Sequence, residues 1–374
     1  MRRIMASRLT SRCLLGLGSC LFMLSLLECA ALLNIVDYRT LLGGTRWEAL
    51  SKNDSELLYV HRPYAHSTGM TRGGDAGMYY RLPLSDLTLF RWNVQYDRNG
   101  FRNDLDLESA DTVVVGDSFV EDIPTPLPQL MTSLLAQARG ETVANLGQIA
   151  YGPQQELVVL KRYGLPLKPR TVVWMFFEGN DLTDVIHYRA AIASQNNPWS
   201  SFVRRSFTVA AAKLVKRRLF ARDEKSPGIK RSGFVEGASS PTAVYFVNSG
   251  APLNADDLGA LAETSKIVAV ANNLCTAQGA RFVFVFIPEK FRVFRDLCSF
   301  PEASECRHWV LNDLPARMRQ AITAMAPDLG YIDLTTNLKS AAQRGQLPYY
   351  PDDAHWTPAG HRVAAETINR YLSQ

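Results

Sequence analysis

No Cys-x-x-Cys pair, no His-Glu-x-x-His, no Walker A loop and no strand-associated Gly-x-Gly-x-x-Gly occurs in this 374-residue chain. These absences argue against zinc ribbons, zincins and nucleotide-cofactor folds, each of which needs its ligands or glycines at fixed spacing. No cofactor and no metal is therefore implied. Net charge is also scarce. The formal value is +5, and Arg2, Arg3, Arg8 and Arg12 supply four of those charges, leaving the rest of the chain at +1. A near-neutral body argues against a nucleic-acid partner, whose binding proteins carry a dominant basic footprint. The 47% hydrophobic and 21% charged content excludes a disordered chain, and six cysteines are too few for a disulfide scaffold of this length.

What is present begins with an apolar run. Residues 13–36 are almost uninterrupted hydrophobics broken by Glu28. As a helix they would extend about 36 Å, enough to cross a hydrocarbon core of about 30 Å with some tilt. The flanking arginines precede the run, so residues 1–12 are expected in the cytoplasm and everything after 36 outside it. This reads as an uncleaved signal anchor. The alternative is a cleaved signal peptide with Cys29 and Ala31 as the small residues before the cut, which would make the protein secreted. Both export the rest of the chain, to the periplasmic side in a bacterium.

Beyond the anchor, residues 37–110 are polar, aromatic and turn-rich, and read as an irregular lead-in ending in Asn99-Gly100-Phe101-Arg102-Asn103. From 111 to 374 strands and helices alternate. Strands are expected at 112–115, 142–146, 171–177, 281–287 and 331–334, and helices at 127–138, 154–163, 253–277, 311–324 and 357–372. Continuous apolar strands alternating with helices imply an α/β fold, a five-stranded parallel sheet covered on both faces. Residues 186–250 interrupt the rhythm. Between Arg204 and Arg231 this insertion carries ten Lys or Arg against Asp223 and Glu224. It reads as a solvated insertion, a contact for anionic headgroups beside the anchor, or a lid.

In such sheets ligands bind beyond the carboxyl ends of the strands. Those positions hold Gly116-Asp117-Ser118, then Gly147, then Glu178-Gly179-Asn180-Asp181, and finally Asp352-Asp353-Ala354-His355 before the last helix. A serine, an Asp–His pair and amide donors at one sheet edge are the parts of a serine esterase. Val120 stands where an α/β-hydrolase elbow would have its second glycine. Either aspartate could orient His355. In a helical turn, Asp352 shares a face with it, whereas in an extended segment Asp353 does. The helical turn is the reading adopted, which makes Asp352 the expected acid.

This constellation resembles the SGNH hydrolase superfamily, the GDSL esterases, over roughly residues 95–372. The resemblance implies a flavodoxin-like three-layer α/β/α fold and ester hydrolysis or acyl transfer through an acyl-serine. Carried over by position, Ser118 is the nucleophile, His355 the base and Asp352 its orienter. The Ser118 and Gly147 N–H groups and the Asn180 amide would form the oxyanion hole. One block departs from the usual Gly-x-Asn-Asp, since Glu178 takes its first position. The anchor and lead-in are similar to those of bacterial membrane-anchored members and, distantly, of alginate-acetylation proteins, which generally carry their Asp–His before the serine. The expected function is an extracytoplasmic esterase acting on acyl or acetyl esters of envelope carbohydrate or lipid. The alternatives are an O-acetyltransferase for a surface polysaccharide and a non-catalytic anchored module. The expected partners are an acyl-ester substrate and the membrane.

Overall fold

The computed structural model of the protein describes residues 2–33, 35–36, 38, 50–195, 197–220, 225–236, 241–248 and 251–374. The chain divides into two units, residues 1–52 with 190–224, and residues 53–189 with 225–374.

The larger unit is built on five strands: β1 (Thr112–Gly116), β2 (Val143–Gly147), β3 (Thr171–Phe177), β4 (Arg281–Ile287) and β5 (Gly330–Asp333). They lie in the order β2-β1-β3-β4-β5, and every pairing is parallel. The pleat sends alternate side chains to opposite faces. Val113, Val115, Trp174, Phe176, Phe284 and Phe286 enter one core, with helices Pro153–Val159, Ala255–Ala277 and Leu314–Met325. Val114, Val173, Met175, Val283 and Val285 enter the other, with helices Met131–Arg139, Thr335–Gln343 and Pro358–Leu372. This is the expected three-layer α/β/α architecture in the flavodoxin strand order, whose switch point lies between β1 and β3.

Two regions differ from expectation. The lead-in is not irregular: His66–Arg72 and Leu89–Gln95 form an antiparallel pair, and between them runs a short helix, Asp75–Tyr79. The insertion at 186–250 is not one segment. Residues 190–224 group with the N-terminal helix, while 225–250 return to the larger unit. There Ser232–Val235 pairs with both Thr242–Tyr245 and Cys298–Ser299. Within that insertion, residues 196, 221–224, 237–240 and 249–250 lie outside the described residues, as do 37 and 39–49 of the lead-in.

The smaller unit contains helix Arg2–Leu32, of which Leu14–Leu32 is long and apolar enough to cross a membrane, with a mean hydropathy of 1.9. The Glu28 carboxylate of this helix accepts hydrogen bonds from the Thr208 N–H and hydroxyl, both at 3.0 Å. Those groups sit at the start of helix Phe207–Phe220, and the Phe207 ring lies 4.8 Å from that of Tyr38.

Candidate active site

Ser118 opens a four-residue helix directly after β1, and the preceding Asp117 caps it by accepting the Phe119 N–H at 2.9 Å. Gly147, at the end of β2, lies against this helix so closely that a Cβ would come within 2.5 Å of the Val120 Cβ. The glycine is there because two backbones meet. Behind the helix the buried Arg102 guanidinium donates to the carbonyls of Glu121, Asp122 and Thr125. On another side Asp122 binds His361 of the last helix, and His361 Nδ1 accepts the Met131 N–H at 3.2 Å.

His355 lies on the loop before that helix. Its Nε2 is 2.8 Å from Ser118 Oγ, and its Nδ1 is 2.6 Å from Asp353 Oδ1. The structure therefore corrects the expectation for Asp352. Asp353 Oδ1 also accepts the backbone N–H of His355 at 2.8 Å, an Asx turn that folds the carboxylate onto the residue two places on. The segment is not the helical turn on which the choice of Asp352 rested. Asp352 instead faces the lead-in, where it accepts the N–H groups of Gly74 and Thr88, each at 3.0 Å, and the Thr88 hydroxyl.

The loop is fixed from beneath by Lys290. Its buried ammonium donates to the carbonyls of Tyr350, Pro351 and Asp353 at 2.8–3.0 Å. Burial brings the Lys290 pKa down to about 8, against the pull of Asp353, Asp352 and Asp75. The sequence places Lys290 just past the end of β4 and Arg102 in the lead-in but assigns neither a role, and it gives no signal for Asp75. Asp75 lies with its Oδ2 3.7 Å from His355 Nδ1, and its N–H donates to Asp353 Oδ2 at 3.0 Å. One oxygen of its carboxyl, one of Asp353 and a ring nitrogen of His355 all lie within 4.8 Å of one another. Every member of that group belongs to the Ser118–His355 arrangement.

The electrostatics follow from this crowding. Burial disfavours a charged His355, but Asp353, then Asp75 and Asp122, outweigh it and carry the imidazole up to about 10. The imidazolium holds Asp353 well below the ordinary carboxylate range despite burial. The neutral imidazole, the form able to accept a proton, thus gains population as pH rises through the alkaline range.

The expected oxyanion donors are placed unequally. Ser118 heads a helix, whose first N–H groups lack intrahelical acceptors by construction. Asn180 is beside the nucleophile turn, hydrogen-bonded to Asp117, and its Nδ2 also donates to Asp184 Oδ2 at 2.7 Å. Gly147 differs from expectation: its N–H is taken by Asn145 Oδ1 at 3.0 Å, so its contribution is close packing. Around Asn180 the acids are buried. Desolvation raises Asp117, and it raises Asp184 to about 7 with the Asp117 charge adding to the effect. Glu178, the departure from the usual block, pairs with Arg292 and accepts the Glu289 N–H at 3.0 Å, tying the end of β3 to the segment after β4.

Residues 246–374, which include Asp353 and His355, match the family model described as "SGNH hydrolase-like domain, acetyltransferase AlgX". The protein named "Probable alginate O-acetylase AlgJ" from Pseudomonas putida is 30% identical over 96 residues, 26% of this chain. The chain spans 23% of that relative's length. Among solved structures, a GDSL-like lipase from Bacteroides thetaiotaomicron is similar at 11% identity and a TM-score of 0.33, covering 70% of this chain and 87% of that one. An acetyl-xylooligosaccharide esterase from Geobacillus is similar at 13% identity and 0.36, covering 72% and 96%.

Proposed function

We propose, for a chain that belongs to the SGNH/GDSL hydrolase superfamily and is of acyl esterase or acetyltransferase type, that it works through an acyl-Ser118 intermediate on O-acyl groups of envelope carbohydrate. The observation that carries the reading is the continuous relay from Ser118 Oγ to His355 Nε2 at 2.8 Å and from Nδ1 to Asp353 at 2.6 Å. His355 takes the Ser118 proton as Oγ attacks the ester carbonyl. The Ser118 N–H at the head of its helix stabilises the developing oxyanion, and the Asn180 amide joins it by turning from Asp184. Collapse passes the proton from His355 to the leaving alcohol and leaves Ser118 acylated. A second nucleophile, deprotonated by the same imidazole, then releases the acyl group.

Water as that nucleophile gives an esterase; a sugar hydroxyl gives a transferase. The second reading is favoured by the acetyltransferase family model over 246–374 and by the alginate O-acetylase relative. We further place the larger unit outside the cytoplasm, held by helix Arg2–Leu32. Its exposed Leu14, Leu17, Phe22 and Leu26 form an apolar surface that suits hydrocarbon.

The test is the full chain in detergent with an aryl acetate, with and without oligosaccharide acceptors. Release of the aryl alcohol, lost by a factor of about a thousand or more in Ser118→Ala, supports the acyl-serine. An acylated sugar in the acceptor arm makes the protein a transferase. Turnover in Ser118→Ala above about a tenth of wild type overturns the assignment.

A further inference from the structure

We infer that Asp75 is a positioning residue of the base: together with Asp353 it forms a two-carboxylate seat for His355, supplied by the lead-in hairpin rather than by the catalytic loop. The inference rests on the reading of Ser118 and His355 given above. Asp75 Oδ2 lies 3.7 Å from His355 Nδ1, too long for a hydrogen bond but close for a charge contact. The same residue's N–H donates to Asp353 Oδ2 at 3.0 Å, so the two acids are locked in register. A pair of carboxylates this close repel, and burial together with the Asp353 charge raises the Asp75 pKa. The imidazolium of His355, in reach of both carboxylates, is the first group to offset that cost, ahead of Lys290 and the Ala354 N–H.

The approach is built into the hairpin. Gly74 lies so near the catalytic loop that a Cβ would come within 2.8 Å of the Asp352 carbonyl and press into the Asp353 carboxylate. The Ala76 N–H donates to that Asp352 carbonyl at 3.0 Å, and the Gly74 and Thr88 N–H groups bind the Asp352 carboxylate. Four backbone donors from 74–88 thus hold Asp75 at the ring. The charges facing His355 are Asp353 on its own loop, Asp75 from the hairpin, and Asp122 and Asp117 from the nucleophile turn. Lys290 lies beneath, spent on the loop carbonyls.

Asp75 therefore acts on the proton-accepting step through His355. When the Ser118 proton reaches Nε2, the new imidazolium sits against two anions instead of one. The same field keeps the imidazole protonated to higher pH, so the acid limb of kcat/KM moves upward. A purely structural Asp75 would alter thermal stability and leave both quantities where they were.

The experiment uses the full chain in detergent micelles with isotopically labelled histidine. The His355 imidazole is followed by NMR across pH, assigned by its loss in His355→Gln, and kcat/KM for an aryl acetate is measured over the same range. In Asp75→Asn, which keeps the backbone donor to Asp353, the His355 titration and the acid limb both move down by about one pH unit or more. KM stays within about twofold while the plateau kcat falls, and Asp75→Glu returns the limb toward wild type. Should Asp75→Asn not fold, Asp75→Ser carries the same expectation. A His355 titration that coincides in wild type and variant overturns the proposal. Because the NMR readout needs no turnover, it decides the role of Asp75 even if the chain cleaves no ester.

Discussion

Two adjacent aspartates precede His355, and the difference between them is a matter of one turn. Asp353 folds back through an Asx turn and reaches the ring, while Asp352 points away and accepts three donors from the lead-in. Asp353→Asn is therefore expected to lower kcat by a factor on the order of a thousand or more, because an amide there can present the wrong tautomer to Ser118. Asp352→Asn removes acceptors from buried N–H groups and is expected to cost about 1–3 kcal/mol of stability with a much smaller change in kcat. Kinetics on one soluble ester beside thermal unfolding separates the two, and an equal or reversed loss of kcat reverses the assignment. Ser118, Asn180 and His355 were legible in the sequence because each directly follows a buried strand or precedes the closing helix. The acid was not, since spacing alone does not choose between a helical turn, which favours Asp352, and the Asx turn that Asp353 makes onto the His355 N–H.

At the scale of elements, legibility tracked burial. β3 and β4 run where the sequence puts them, residue for residue, because residues 172–177 and 282–287 are apolar throughout, entered at Thr171 and Arg281 and left at Glu178 and Pro288. The lead-in was missed because its strands are half-exposed. Leu89–Gln95 does alternate, with Phe90 and Val94 buried, but its partner His66–Arg72 carries almost no apolar pattern. What that region does is also invisible from period alone. Arg102 lies past the end of the hairpin and satisfies three carbonyls behind the Ser118 helix. Removing it leaves buried acceptors without donors, so Arg102→Ala is expected to cost about 3 kcal/mol or more and to lower Tm by several degrees. The same change loosens the turn that carries Ser118, so kcat falls with it. Calorimetry and the aryl acetate assay check both, and a Tm within about one degree of wild type refutes the bracing role.

At the scale of the whole molecule, the chain divides into two units. The basic segment from 204 to 224 groups with the apolar N-terminal helix, where Thr208 meets Glu28, while the hairpin and catalytic loop belong to the other unit. A carboxylate near the end of a membrane-crossing helix is costly unless paired, and the Thr208 donors supply the pairing. The proposed anchor keeps Glu28 with its partner, whereas cleavage near 31 would separate the two. By the positive-inside rule, arginines at 2, 3, 8 and 12 predict the proposed orientation, with the catalytic unit outside. In bacteria expressing the full chain with a C-terminal epitope, the protein is expected to stay in the membrane pellet after carbonate extraction. Protease added to spheroplasts should digest the epitope while cytoplasmic markers survive. Release of the whole epitope signal into the periplasmic fraction would mean that the segment is cleaved. Protection in intact spheroplasts, followed by digestion on lysis, would place the catalytic unit in the cytoplasm and overturn the orientation.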